Sequence, residues 1–380
     1  MVNYFKKGGE RNVMKKQIRT IIILICLSSI LYGCGKKDST EENTNTSTNE
    51  LQMVYFTDLG SYPIEDLNKD IQVVNIGNRN ALSTIGNDGS ILLGNIPRDE
   101  SEDSIIYLFN VEDGRDIELD RVKAIKHFGF AYQFGFAYQD DEIIVYYTYS
   151  VWGVSDIPIE YYIYYKDSQE KEIMNISESV EVHKELKIDR RMARIDDELY
   201  FEVQDKVAPT DENGASIYKY NLYTKEISFV TRGMSPQVYK DELIYINNNQ
   251  VAEIVTMDGE VIANSVIDYY TYDDMIIAVR YVDEICWYVL IKDGEEKVLF
   301  TRTYYGRFWS ISTNGKYITW QQSAKGLCFY DIEKDSLVQI DPTTGGMTVA
   351  SEKYLYWTEV LNDPNDKNNS QVTIRYIKFD

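Results

Sequence analysis

Histidine is nearly absent from this sequence, and cysteine and basic residues are scarce. The 380 residues include two histidines, His127 and His183, and four cysteines with no Cys-x-x-Cys pair. No zinc site is convincing with so few of these residues, so we predict no metal site, and no motif identifies a catalytic residue. Lysine and arginine number 39 against 61 acidic residues, a net charge of −22. This balance argues against nucleic acid and anionic lipid surfaces as partners, because both bind basic patches.

The sequence also lacks an apolar run long enough to span a bilayer. Its most apolar stretch, residues 20–31, has twelve residues, whereas a membrane-spanning helix needs about 20. This stretch follows the cationic segment MKKQIR at residues 14–19, an order typical of a signal peptide. We predict a signal peptide over residues 1–33, with Met14 as a second candidate start of translation.

The signal peptide ends in Leu31-Tyr32-Gly33-Cys34, which resembles the bacterial lipobox, with Tyr32 in the place of the usual small residue. The resemblance implies that Cys34 carries a lipid and anchors the chain on the extracytoplasmic face of the cell membrane. Residues 34–50 are polar and contain no aromatic side chain, which predicts a disordered tether. Residues 51–380 then form the folded domain, which we expect to be a monomer.

A repeated unit predicts the fold of this domain. Polar turns precede apolar, tyrosine-rich runs seven times, centred on residues 88, 141, 197, 241, 274, 315 and 352, with a mean spacing of 44 residues. A second polar turn recurs within each unit except the last, which gives four short antiparallel strands per unit. Units of four strands with this period are typical of propeller blades. The prediction is an all-β, seven-bladed β-propeller.

One segment carries a family resemblance. Residues 309–320, WSISTNGKYITW, resemble the TolB-type repeat of WD-repeat-like propellers. The chain is also similar to the tyrosine-rich propeller lipoproteins of Gram-positive bacteria, whose function is undefined. The resemblance implies a surface location and no established chemistry.

The seventh unit is one strand short, since the chain ends after VTIRYIKF. An N-terminal strand must complete it, because an open ring would leave exposed sheet edges. Ile71 to Asn75 is our candidate for this strand, and Met53 to Thr57 is the alternative.

Long loops predict where ligands bind. The loops between the second and third strands are long in blades seven, one, two and three, at residues 361–370, 95–103, 150–160 and 203–216, and they form an arc on one face. Loops longer than a hairpin needs often carry function, although neutral insertion explains them equally well. Trp152 is our candidate aromatic platform, and Asp103, Asp211 and Asp363 are candidate ligand-binding carboxylates. Calcium at these acidic loops is an alternative to the absence of any cofactor.

Three further features concern packing. The 32 tyrosines lie mostly in predicted strands, which favours packing between blades over carbohydrate binding. Cys286 and Cys328 fall in different blades. Packed sheets lie about 10 Å apart, which is too far for a disulfide and favours two buried thiols. FGFAYQ occurs twice in succession from Phe128 to Gln139, which predicts a bulge or a longer strand in blade two.

Three functions are compatible with these observations. The first is a membrane-anchored scaffold that binds an unknown glycan, peptide or protein. The second is a hydrolase or lyase acting on cell-envelope glycans through carboxylates at the channel mouth. The third is an envelope assembly factor, by analogy with TolB-type proteins. No carboxylate pair or nucleophile motif distinguishes an enzyme, so the binding scaffold is our principal interpretation.

Overall fold

The computed structural model describes residues 59–64, 71–95, 102–122, 132–150, 160–176, 192–203, 215–247, 252–303, 311–320, 327–341, 348–363 and 366–379. The predicted signal peptide, Cys34, the tether, His127, His183 and the alternative closing strand lie outside these residues. The predicted domain boundaries therefore stay predictions. Across the described ranges, no helix reaches the length and apolarity that crossing a membrane requires.

The described residues form short β-strands almost throughout. In chain order these are β1 (Ser61–Pro63), β2 (Gln72–Gly77), β3 (Arg79–Ala81), β4 (Ser90–Asn95), β5 (Ser104–Asn110), β6 (Asp116–Val122), β7 (Tyr132–Gln139), β8 (Ile143–Ser150), β9 (Glu160–Tyr165), β10 (Lys171–Asn175), β11 (Met192–Ile195), β12 (Glu198–Val203), β13 (Ser216–Asn221), β14 (Ile227–Arg232), β15 (Met234–Tyr239), β16 (Glu242–Ile246), β17 (Glu253–Thr256), β18 (Val261–Asn264), β19 (Val266–Tyr272), β20 (Met275–Val282), β21 (Ile285–Lys292), β22 (Glu295–Thr303), β23 (Ser312–Thr313), β24 (Tyr317–Thr319), β25 (Leu327–Asp331), β26 (Ser336–Asp341), β27 (Thr348–Ala350), β28 (Tyr354–Asp363) and β29 (Asp366–Lys378).

These strands form seven sheets. Six of the sheets have four antiparallel strands, and the remaining sheet has four antiparallel strands with β1 added in parallel at its edge. Blades one to six take four consecutive strands each, from β3–β6 in blade one to β23–β26 in blade six. Blade seven consists of β27, β28 and β29 with β2 at its outer edge. The prediction of an all-β, seven-bladed propeller is confirmed.

The apolar core is divided into seven clusters, and each cluster lies between two successive blades. One of them joins Val349 and Tyr354 of blade seven to Ile85 and Ile91 of blade one. A buried seam between the last and first blades means that the ring is closed. The seam between blades three and four has the smallest buried cluster, which consists of Ile217, Tyr245 and Val255.

The N-terminal part of the described chain supplies the missing strand of blade seven. β2 pairs antiparallel with β29, from Gln72 opposite Tyr376 to Gly77 opposite Val372. Ile76 is 1% exposed and belongs to the seam between blades seven and one. The prediction that the segment beginning at Ile71 closes the ring is confirmed.

A second N-terminal strand was not predicted. β1 pairs parallel with β26 and adds a fifth strand to the outer edge of blade six, with Ser61 opposite Leu337. The hydroxyl of Tyr62 donates to Asp331 at 2.5 Å, and the Lys334 ammonium lies 3.9 Å from the centre of the Tyr62 ring. Three residues without apolar alternation give no strand signal, so tertiary contacts define this strand.

Tyrosines pack between the blades as predicted, and some of their hydroxyls reach the polar turns, whereas that of Tyr269 bonds to the carbonyl oxygens of Ser235 and Ile244 inside a seam. Tyr354 and Tyr330 are 0% exposed, yet their hydroxyls bond to Glu112 and Asp335 in the polar turns. A buried ring with a hydroxyl at the surface satisfies both the apolar and the polar part of the side chain.

The two domain cysteines are buried thiols that form no disulfide, as predicted. Cys286 lies in β21 and Cys328 in β25, the third strands of blades five and six. Both belong to the apolar cluster between these blades.

Glu112, in the turn between β5 and β6, links blade one to blade seven. Its carboxylate accepts hydrogen bonds from the Lys378 ammonium and the Tyr354 hydroxyl. The hydrogen bond from Lys378 first, and then that from Tyr354, lower the pKa of Glu112 below its ordinary value of 4.5. A carboxyl with a lower pKa in the folded state stabilises the fold above its ordinary pKa, and this contribution is lost as the pH falls below about 4.5.

We expect Glu112→Gln to lower the melting temperature at pH 7 by about 1–2 °C, since the pair is exposed to solvent. The difference from wild type should shrink as the pH is lowered from 5 to 3, because wild-type Glu112 becomes protonated there. Thermal unfolding across this range measures it. Asp113→Asn is the matched control, because Asp113 contacts the exposed Arg115 within its own turn. A constant difference between Glu112→Gln and wild type at all pH values would contradict the prediction.

Candidate functional site

The disc has two faces that differ in their connections. We call the lower face the one that carries the turns between strands one and two and between strands three and four of each blade. The upper face carries the connections between strands two and three and from one blade to the next. All seven repeated turns predicted from the sequence connect first and second strands and lie on the lower face. The predicted binding loops belong to the upper face.

Asp103 lies on the upper side of blade one, and its carboxylate is engaged within that blade. It lies 3.3 Å from Arg121, which also binds Glu118 at 2.8 Å. The Asn95 side chain donates to the Asp103 carbonyl oxygen at 2.8 Å and closes the base of the loop. The hydrogen bond from Arg121 lowers the pKa of Glu118. The structure thus gives Asp103 a role in holding its loop, and ligand binding by Asp103 stays a prediction.

Asp363 lies in a strand, which corrects the long loop expected at residues 361–370. β28 continues to Asp363 and β29 begins at Asp366, and these two residues are opposite each other. Asparagine and aspartate favour turns, but extension of the hairpin pairs backbone groups that a loop would leave unpaired. Trp152 and Asp211 lie outside the described residues, so their proximity to Asp103 and Asp363 stays a prediction.

In the described part of the upper face, three large exposed apolar side chains lie at the top of blade five, although Tyr281 and Val282 are adjacent in β20 and point to opposite faces of the sheet. Ile267, Tyr281 and Val282 are 47%, 41% and 44% exposed. The other large exposed apolar residues of the described chain lie in lower turns or in other blades. We call Ile267 together with residues 280–287 the blade-five tip.

A strained two-residue turn forms the end of this tip. Val282 pairs with Ile285, and the two residues between them, Asp283 and Glu284, have φ values of +51° and +65°. Two successive left-handed residues are the geometry of a type I′ hairpin turn, which favours Asn-Gly. A left-handed conformation costs about 1–2 kcal/mol for a residue with a side chain, and such strain often marks functional positions.

A β-bulge exposes Ile267. The register between β19 and β20 shifts between Val266, which pairs with Arg280, and Asp268, which pairs with Val279. Ile267 is therefore the extra, unpaired residue of β19. Bulges redirect side chains in this way at the rims of sheets.

Two buried cores support the tip. On the side of blade six, Tyr288 stacks on Phe300 with ring centres 4.3 Å apart, and Phe300 lies 5.1 Å from Trp320. On the side of blade four, Trp287 packs against the cluster that contains Ala278. A hairpin held from both sides presents its exposed side chains in a fixed position.

The tip also extends beyond its neighbour. The lower turns of blades four and five are level, since the Lys240 amide lies 3.4 Å from the Asp273 carbonyl oxygen. From this level, β16 ends at Ile246, whereas β20 continues to Val282. The second strand of blade five is three residues longer, or about 10 Å at 3.3 Å per residue. The upper part of the hairpin thus reaches past the strands of blade four.

Negative charge flanks the apolar side chains of the tip. Asp283 and Glu284 are exposed. Arg280 is paired in two hydrogen bonds with Glu296, at 2.8 and 2.5 Å. An apolar surface with unpaired carboxylates beside it suits a partner that offers apolar and basic side chains. Within the described ranges, no three His, Cys, Asp or Glu residues form a group that could hold a metal ion, and calcium at the acidic loops stays a prediction.

The sequence reasoning missed this tip because it judged loops by their length. The connection at residues 281–284, YVDE, was counted among the short loops. A signal was present, since two large apolar residues directly precede a polar turn at the end of a strand. The exposure of Val282, which lies on the same face of β20 as Ala278, depends on the height of blade four, which the local sequence does not reveal.

No protein-family model matches the chain, and no curated protein matches it. Among solved structures, an uncharacterized protein from Listeria monocytogenes EGD-e is similar, with 10% identity, a TM-score of 0.49, and coverage of 76% of this chain and 92% of that one. TolB from Acinetobacter baumannii is similar with 12% identity, a TM-score of 0.39, and coverage of 78% and 85%. BamB from Moraxella catarrhalis is similar with 11% identity, a TM-score of 0.41, and coverage of 79% and 85%.

Propellers such as TolB and BamB are thus among the structures that this chain resembles. At these scores the likenesses are too distant to add to the assignment of the fold, which the seven sheets establish. A rigid closed disc of this kind is consistent with a binding or interaction scaffold.

Proposed function

We propose that this chain is a lipid-anchored, extracytoplasmic binding scaffold that meets a protein or peptide partner on its upper face. The blade-five tip is the anchor point for this partner. The observation that carries the proposal is the exposure of Ile267, Tyr281 and Val282 at the end of one hairpin that is supported from both sides. Exposed apolar patches with a polar rim typically mark interaction sites.

The path of the chain favours an upper face that is turned away from the membrane. Ser61 pairs with Leu337 next to the lower turn of blade six, and the Leu337 amide donates to the Gly60 carbonyl oxygen. The chain therefore enters the disc at its lower face. The predicted polar tether, residues 34–50, would have a mean span of about 21–25 Å as a flexible chain, and it precedes the segment that enters at the lower face, so we expect the lower face to lie toward the bilayer.

The charge of the lower face would keep the disc from resting on the bilayer. Carboxylates occur in the lower turns of every blade, among them Asp140, Asp141 and Glu142 in blade two and Asp273 and Asp274 in blade five. Anionic lipid headgroups repel such a surface. The disc would thus stay clear of the membrane, with its upper face accessible.

Binding of peptide and glycan arrays by residues 51–380, with and without calcium, tests the function. We expect binding to peptides that combine apolar and basic residues, and we expect Tyr281→Ser with Val282→Ser to weaken it at least tenfold, as for central apolar contacts of an interface. Val73→Ser is the matched control, since Val73 is 54% exposed on the outer strand of blade seven. Equal binding by the tip variant and wild type would reject the tip as the site.

Membrane fractionation of cells tests the anchor separately. We expect wild-type protein in the membrane fraction and the Cys34→Ser variant in the soluble fraction. An unchanged distribution of the variant would reject the lipid anchor and leave the binding proposal intact.

A further inference from the structure

Blade two contains the same six residues twice in succession. FGFAYQ occupies residues 128–133 and again residues 134–139. The first strand of the blade, β7, holds the whole second copy and Tyr132 and Gln133 of the first. Residues 128–131 lie outside the described residues. The first copy therefore repeats, directly before the second copy in the sequence, the residues with which the second copy pairs in β7.

The second copy makes specific contacts in β7. Gly135 pairs with Tyr147 and lies against its ring, so that a Cβ atom on Gly135 would be 2.3 Å from the ring carbon Cζ. Phe134 packs edge-on against Tyr146, with ring centres 6.0 Å apart. Tyr147 is 6% exposed and is itself packed against a neighbouring ring, so it has little room to move. This position in the strand thus requires glycine.

A second contact connects the strand to blade one. The Gln139 side-chain amide donates to the Ser90 carbonyl oxygen at 3.2 Å and lies 3.0 Å from the Ser90 hydroxyl. The first copy offers a glycine at residue 129 and a glutamine at residue 133, at the same spacing. The second copy has a bulge at Ala137, between Phe136 opposite Tyr146 and Tyr138 opposite Val145, and the first copy has Ala131 at the same place. Six residues is an even number, so a shift by one copy that moves the bulge to Ala131 keeps every side chain on its own face of the sheet.

From these matches we infer that β7 has two registers against β8, which differ by six residues. In the observed register the second copy pairs with β8. In the alternative register the first copy takes its place, with Gly129 against Tyr147 and Gln133 against Ser90. The second copy then leaves the strand and joins the lower turn after it, which brings Phe134 and Phe136 to the lower face.

The connections leave room for this shift. In the alternative register the link from β6 to the first copy would be residues 123–127. Elsewhere in the propeller a single residue is sufficient, since Gly233 connects β14 to β15 and Ser265 connects β18 to β19. The longer lower turn adds a loop-closure cost that grows only logarithmically with length.

Asp140 favours the observed register. Its carboxylate accepts hydrogen bonds from the amides of Glu142 and Ile143, both at 2.8 Å, and lies 2.7 Å from Arg194 of blade three. These contacts require Asp140 to follow the strand directly. The alternative register breaks these contacts, so it is the minor state. A substitution that prevents the second copy from occupying the strand should raise its population.

Paired valine substitutions in the full chain test the two registers. Gly135→Val blocks the observed register, Gly129→Val blocks the alternative one, and the double variant blocks both. We expect Gly129→Val to unfold like wild type and Gly135→Val to be moderately less stable. The unfolding constant of the double variant should exceed that of Gly135→Val at least tenfold. Deletion of residues 128–133 should make Gly135→Val as harmful as it is in the double variant.

Hydrogen exchange gives a direct readout of the register. The Ile143 amide, which Asp140 caps, should exchange faster in Gly135→Val, whereas the Gly129→Val variant should match wild type. The inference is overturned if Gly135→Val is as unstable as the double variant, or fails to fold. It is also overturned if Ile143 exchanges at the wild-type rate in a folded Gly135→Val protein.

Discussion

A chain that begins at Asn78, without the closing strand, should lose its cooperative unfolding transition. β2 contributes Ile76 to the seam between blades seven and one and pairs with β29 along its length. Burial of one isoleucine is worth about 1.5–3 kcal/mol, and each ladder hydrogen bond adds about 0.5–1.5 kcal/mol. The sum is comparable with the whole stability of a typical domain, about 5–15 kcal/mol.

Two longer chains are the controls for this truncation. A chain that begins at Ile71 keeps β2 and loses β1, which removes the contacts of Tyr62 and the burial of Ile64, 9% exposed. We expect it to fold with a lower denaturant midpoint than a chain that begins at Leu59. A peptide of residues 71–77 added to the shortest chain should restore the transition. Cooperative unfolding of the shortest chain by itself, at the midpoint of the longest, would contradict the closure.

The number of blades was predictable because their turns have a local cause. First-to-second strand turns need residues that tolerate a left-handed backbone, and aspartate is one of them. Asp196 and Asp273 have this conformation, with φ values of +51° at both. Each such turn is followed by a run of apolar residues that enters a seam. The recurrence of both signals therefore indicates a unit that packs against copies of itself.

The closing strand was predictable for a different reason, because every other blade has four strands. Seven units with one strand missing require a strand from elsewhere, and Ile71 to Asn75 was the nearest apolar segment before blade one. β1 has no such requirement behind it. It covers an edge that other blades leave uncovered, and Tyr62 and Ile64 are recognisable as anchors only once Asp331 and the seam between blades six and seven are in place.

The candidate site was the least predictable part of the molecule. Composition and loop length placed it near Trp152, Asp103, Asp211 and Asp363, and the described residues of this set have structural partners or strand positions. The blade-five tip depends on the relative height of two blades, on a bulge and on a strained turn. None of these follows from the residues of one hairpin, since each is a relation between strands.

Gly233→Ala should be clearly destabilising, because it crowds the seam that has the smallest apolar cluster among the described residues. Gly233 connects blade three to blade four with φ +159°, and a Cβ atom there would be 2.3 Å from the Tyr245 ring and 2.9 Å from the Ile246 carbonyl oxygen. Tyr245 is one of three buried residues in this seam. Overpacking of this kind costs about 1–3 kcal/mol, measurable by denaturant unfolding.

Ser265→Ala is the matched control, because Ser265 makes the same connection between blades four and five, has φ +54° and is exposed. We expect it to change the stability by about 0.5 kcal/mol or less. If contact with Tyr245 causes the loss, Tyr245→Leu should relieve it, so that the double variant with Gly233→Ala is more stable than the sum of the two single effects. Additive losses would instead assign the cost to the backbone, because the second substitution changes neither the Ile246 carbonyl group nor the φ angle at residue 233. The cycle thus separates crowding in the seam between blades three and four from the conformational demand of its connection.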